Sequence, residues 1–205
     1  MKKAEALLNY IQYSETKDLL DRLLMLQENA KFKSVVVLSE LSGEGKTFVT
    51  AALALAYTER LKKRVLVVDT ATPRPAGAAN PGRPSPDLLN ELLERSETVD
   101  VISLRAWSGL KKGGDAAEYQ LKALFSQVAA QYGLVLVDTS SLARKNRNNL
   151  DPSVIARQCD AAVLVSSKIE FAVNVSLENR KRMEASGIKL IGMIYNRGGA
   201  IDAAK

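Results

Sequence analysis

An unbroken apolar run, Ser34-Val35-Val36-Val37-Leu38-Ser39, passes straight into Glu40-Leu41-Ser42-Gly43-Glu44-Gly45-Lys46-Thr47, and a helix-forming stretch over residues 46–60 follows at once. Few folds accept that order. A strand with no polar alternation is buried on both faces, which calls for a sheet covered by helices on each side. Gly43 and Gly45 permit a tight strand-to-helix turn whose backbone comes close to an anion. The helix that opens there offers unpaired N–H groups and the positive end of its dipole. In such a loop Lys46 reaches β- and γ-phosphates, and the Thr47 hydroxyl ligates magnesium. The general pattern Gly-x-x-x-x-Gly-Lys-Ser/Thr lacks its first glycine here, because position 40 is glutamate. An ordinary glycine turn is the alternative reading, and the strand before and helix after it argue against that.

The rest of the chain repeats the alternation. Arg64–Asp69, Val99–Leu104, Gly133–Asp138, Ala161–Ser166 and Lys189–Tyr195 read as further strands. Residues 87–94, 116–131, 152–158 and about 170–186 read as helices, and leucines recur at helical spacing from about Lys17 to Leu26. The segment 71–86 holds five prolines and two glycines and reads as an irregular loop, as do residues 106–115 and the polar stretch 141–151. The predicted fold is therefore an α/β P-loop NTPase, with a mostly parallel central sheet and helices on both faces. Residues 31–205 form the nucleotide-binding domain. Residues 1–30 form an N-terminal amphipathic helical segment that packs on it and is also able to serve a partner or a second copy.

Composition narrows the chemistry. The 205 residues contain no histidine, which removes Ser-His-Asp and Cys-His catalysis and histidine-based zinc sites. One cysteine, Cys159, excludes an internal disulfide, fits a reducing compartment, and reads as a small core hydrophobe rather than a nucleophile. A net charge of +6 favours anionic partners. Its basic residues, however, are scattered in small clusters such as Lys62-Lys63-Arg64 and Arg180-Lys181-Arg182, and nucleic acid is not an expected partner. No apolar run approaches the roughly 18–20 residues that span a bilayer. Behind Met1-Lys2-Lys3, the polar Glu5, Asn9 and Gln12 interrupt any secretory core. The prediction is a cytoplasmic protein without direct membrane insertion.

Two strands end in aspartate, Asp69 and Asp138. In open α/β sheets ligands sit beyond the carboxyl ends of the strands, where such acids hold magnesium or orient an attacking group. With these in view the chain resembles the bacterial tyrosine kinases (BY-kinases) of capsule and exopolysaccharide export, within the deviant P-loop ATPases related to partition and septum-site proteins. Ser39-x-x-Ser42-Gly43-Glu44-Gly45-Lys46-Thr47 is similar to their phosphate loop, with Ser42 in place of a proline. Val65–Asp69 followed by Arg74-Pro75 resembles their second acidic motif. Leu134–Thr139 resembles the third, with Ser140-Ser141 where two prolines are usual. Cys159–Val165 and Gly192–Arg197 match further on.

The resemblance implies ATP or ADP with magnesium as cofactors, held by Ser42, Gly43, Glu44, Gly45, Lys46, Thr47 and Phe48. Asn196 and Arg197 would hold the adenine, Thr47, Asp69 and Asp138 the metal, and Lys46, Asp69 and Asp138 would act in catalysis. It further implies a role in exopolysaccharide synthesis or export beside a separate membrane protein of the co-polymerase type that recruits the chain to the inner membrane, and a homo-oligomer. The departures bear on catalysis. Ala71 replaces the second acid, Pro73 stands at an arginine position, and no tyrosine occurs in residues 198–205. Arg22 is the only arginine where the family carries a ring-forming Glu-x-x-Arg-x-x-Arg. A nucleotide-dependent interaction module and a partition-type ATPase are the alternative functions.

Overall fold

The computed structural model describes residues 12, 14–70, 97–103, 115–143, 151–167 and 180–196. Helix α1 (Ser14–Ala30) leads into β1 (Ser34–Leu38), α2 (Lys46–Leu61) and β2 (Val65–Asp69). Then come β3 (Val99–Ser103), α3 (Asp115–Ala129), β4 (Leu134–Asp138), α4 (Pro152–Gln158), β5 (Ala161–Ser166) and β6 (Leu190–Tyr195). Residues 180–185 are also helical. The expected loop at 71–86, the helix at 87–94 and Arg197 lie outside the described residues.

The six strands form one sheet in the order β3-β2-β4-β1-β5-β6, and every pairing is parallel. The continuous apolar runs explain this, because a parallel sheet has no face left for water. Val35 and Val37 of β1 join one core with α1 and α2, whereas Val36 and Leu38 join another with α3 and α4. Both faces are thus covered, as the sequence predicts. The strand bounds differ from expectation by a residue at several ends. Ser39 leaves β1 because its hydroxyl turns into the following loop, donating to Leu41 O at 2.6 Å.

The helices follow local chemistry. Pro152 occupies the first turn of α4, and Asp151 caps it by accepting Ser153 N–H at 2.8 Å. Helix α1 buries Leu20 and Leu23 in the core that β1 and α2 share. Gln27 of α1 donates to the carbonyls of Phe32 and Gly133, and the buried Tyr57 hydroxyl donates to Gly133 O at 3.0 Å. At the same end of the sheet Asp160 Oδ2 accepts Lys33 N–H, Ser34 N–H and the Ser34 hydroxyl, while Asp160 N–H donates to Ser34 Oγ. One carboxylate therefore stitches the start of β1 to the start of β5. The opposite, carboxyl ends of the strands converge on the phosphate loop.

Candidate functional site

Residues 39–45 link β1 to α2 through two left-handed glycines, Gly43 at φ 86° and Gly45 at φ 89°. Side chains other than glycine rarely adopt that conformation. Gly45 is doubly constrained, since a Cβ there would lie 2.0 Å from Asn196 Nδ2. Asn196 closes onto the loop because its N–H pairs with Ser166 O at 2.8 Å and its side-chain amide donates to Glu44 O at 3.0 Å. The chain so curved delivers Lys46 and Thr47 to the first turn of α2, where helical N–H groups point at the loop interior.

Lys46 is buried, and its Nζ donates to Ser39 Oγ at 2.6 Å. Thr47 donates to Asp138 Oδ2 at 2.7 Å. Asp138 is 1% exposed, and its second oxygen, Oδ1, is buried with no hydrogen-bond partner. Burial pushes its carboxyl up to about 7. The Thr47 hydrogen bond opposes this, the neighbouring Asp69 adds to it, and Lys46 and the Thr139 amide draw it back. Asp69 and Asp138 stand in register at the ends of adjacent strands. Thr70 holds those ends together, with both its N–H and its hydroxyl on Asp138 O.

The orphaned oxygen tests the expected metal. A desolvated carboxylate oxygen without a donor, beside a threonine hydroxyl, is the hard-oxygen chemistry that suits magnesium. Among the described residues no group of three or more acidic or sulfur side chains is able to hold a metal by itself. Magnesium takes one or two carboxylates and completes its shell with phosphate oxygens and water.

The predicted site residues other than Arg197, which lies outside the described residues, stand at one place. Ser42, Gly43, Glu44, Gly45, Lys46 and Thr47 form the loop and its helix start, Asp69 and Asp138 close one side, and Asn196 closes the other. Phe48 differs from the rest because its side chain is in the core, leaving only its backbone to face a phosphate. The Glu44 side chain accepts Leu41 N–H at 2.8 Å through one oxygen, and Ser166 Oγ and Ser167 N–H at 3.3 Å through the other. Cys159 is buried and its thiol is held well above the usual range by that burial, as a core hydrophobe would be.

Sequence reasoning assigned no role to Ser39, Ser141 or Ser166. Ser39 receives Lys46, and Ser141 meets Ser42 hydroxyl to hydroxyl at 3.1 Å. Leu142 N–H and Ala143 N–H continue that seam onto Ser39 O and Glu40 O. The available signal was positional: Ser39 and Ser166 are the polar residues with which apolar strand runs end.

Among solved structures the chain is similar to the kinase domain of the Escherichia coli tyrosine kinase ETK, at 21% identity over 81% of this chain and 68% of that one, with a TM-score of 0.57. The BceF tyrosine kinase domain matches at 20% identity, 88% and 75% coverage and a TM-score of 0.59. A ParA family ATPase from Chlorobium tepidum matches at 18% identity, 81% and 74% coverage and a TM-score of 0.51. At such identities the likeness is one of fold. Comparison with curated proteins finds no match. No helix among the described residues is long and apolar enough to cross a membrane. The family model of the CobQ/CobB/MinD/ParA nucleotide-binding domain matches residues 35–202, from the first strand to beyond Asn196. A match over that much of the sequence settles descent, and the chain belongs to this family of nucleotide-binding domains.

Proposed function

We propose that the protein binds ATP as its magnesium complex and acts as a BY-kinase-like ATPase in exopolysaccharide or capsule export. The observation that carries this reading is Asp138: a buried carboxylate with one oxygen on Thr47 and the other without a partner, close enough to feel the charge of the phosphate-loop lysine. Lys46 exchanges Ser39 for the β- and γ-phosphates, and Gly43 and Gly45 keep the backbone close to them. Thr47, Asp69 and Asp138 hold magnesium, which when bound neutralises phosphate charge. Ser42, Glu44 and Phe48 complete the loop, and Asn196 and Arg197 are the residues assigned to the adenine.

The fold neighbours include tyrosine kinase domains, which supports a tyrosine hydroxyl as one acceptor. Ala71, in place of the second acid, supports a second reading: a module that binds nucleotide and changes its contacts without transferring phosphate. In either case the partner is a separate membrane polysaccharide-export protein that recruits this chain from the cytoplasm, and a second copy of the chain is the other expected contact.

One titration separates these readings. MgATP and MgADP are added while phosphate release and phosphotyrosine are followed in the same sample. Lys46→Met removes a charge-assisted phosphate contact and should weaken ATP binding about 100-fold, roughly 2.7 kcal/mol, and abolish turnover. Turnover equal in the two proteins overturns the ATPase reading. Phosphotyrosine on the wild-type protein overturns the non-catalytic one.

A further inference from the structure

A carboxylate inside a phosphate loop opposes a polyanion by Coulomb repulsion, so its position requires a reason. Glu44 is 4% exposed, and its oxygens face donors contributed by two separate parts of the fold. One oxygen accepts Leu41 N–H from within the loop, and the other accepts Ser166 Oγ and Ser167 N–H from the end of β5. The carbonyl of the same residue accepts the side-chain amide of Asn196, at the end of β6. Asn196 is itself fixed by its N–H on Ser166 O. The contacts form a closed ring: phosphate loop, β5 end, β6 end, and back to the loop. Two of the donors onto the carboxylate are backbone N–H groups, one on each oxygen, and these only donate. A glutamine would set its own N–H₂ against one of them, so only an acceptor-only side chain satisfies both.

We infer that Glu44 and Asn196 are positioning residues that hold the phosphate loop in its anion-ready curve, with β5 and β6 as the rigid backing. This deepens the proposed nucleotide reading and rests on it. Asn196 then contributes to phosphate affinity as well as to the adenine contact assigned to it, and Glu44 acts on the ligand through backbone geometry rather than by contact. The Asn196 amide also occupies the space a Gly45 side chain would need, so the ring works only with glycine at that position.

The experiment compares full-length wild type, Glu44→Gln and Asn196→Ala by two readouts. The first is amide hydrogen exchange over residues 41–47 in the ligand-free protein. The second is affinity for magnesium tripolyphosphate, which has phosphates but no base, beside MgATP. Both variants should speed exchange in the loop on the order of tenfold, leave β2 and β4 amides unchanged, and weaken tripolyphosphate about tenfold, the factor expected for one ordinary hydrogen bond. Unchanged loop exchange in both variants overturns the inference. So does Asn196→Ala weakening MgATP while tripolyphosphate binds as before, since that describes a plain base contact. A wild-type protein that binds neither ligand defeats the nucleotide reading alone, and the exchange data still decide whether the ring holds the loop. Should Glu44→Gln fail to fold, Asn196→Ala carries both readouts.

Discussion

Asp69 and Asp138 end neighbouring strands, pair with each other in register, and follow nearly the same sequence, Val-Leu-Val-Val-Asp and Leu-Val-Leu-Val-Asp. Their surroundings differ. Asp138 is sealed beneath the phosphate loop on a central strand, with Thr47 on one oxygen. Asp69 is only part-buried, on β2 towards the sheet's edge. The same residue at the same strand position therefore has two electrostatic lives. What separates them is strand order, which places β4 but not β2 beside β1 and its loop. The buried acid keeps one oxygen without a donor, and the part-buried one beside it also raises its neighbour's carboxyl through like charge.

The largest expected effect concerns folding stability. Asp138 titrates near 7 in the fold against an ordinary 3.8, so between those values the native state carries a proton that the unfolded chain has lost. Its contribution is most favourable below about pH 4, declines as pH rises, and levels off above 7. In metal-free buffer this group should remove about 3 kcal/mol of stability between pH 5 and pH 8, whereas Asp138→Asn should not show that slope. Urea unfolding of both proteins at the two pH values checks it. Identical slopes would mean the two aspartates are alike after all. Magnesium with ATP should offset the loss at pH 8 in wild type only.

A smaller effect follows from Thr47→Val, which removes the hydroxyl but keeps the shape. The Asp138 carboxyl then titrates higher than in wild type, because its hydrogen bond was holding it down. MgATP affinity falls about tenfold, roughly 1.4 kcal/mol. Carboxyl-carbon NMR and calorimetry read the two parts. The smallest effect is that of Asp69→Asn. Losing that like charge lets Asp138 titrate lower, by less than Thr47→Val moves it up, since the hydrogen bond outweighs the charge. A larger shift in the Asp69 variant would reverse the ranking of the two acids.

How much of this was legible in the sequence depended on how local the cause was. The strands were, because unbroken apolar runs such as Val35–Leu38 leave no other way to bury both faces. Lys46 and Thr47 were, because the loop is one contiguous motif. The inequality of Asp69 and Asp138 was not, since it arises from which strands lie side by side. The ring around Glu44 was hidden for the same reason: Ser166 lies 122 residues away along the chain and Asn196 lies 152 away. Ser39 shows an intermediate case. Its place at the end of a strand was evident, but its service to Lys46 depends on the lysine folding back on its own loop.

The Asp160 clasp gives the sheet a mechanical character. Strands β1 and β5 are riveted together where they begin, by a single side chain with several hydrogen bonds, and they carry the phosphate loop and its backing where they finish. Such a pair behaves as a cantilever, anchored at the root and loaded at the tip. Register slip between the two is resisted at the root, so the loop on β1 and its Glu44–Ser166 tie to β5 keep a fixed offset at the tip.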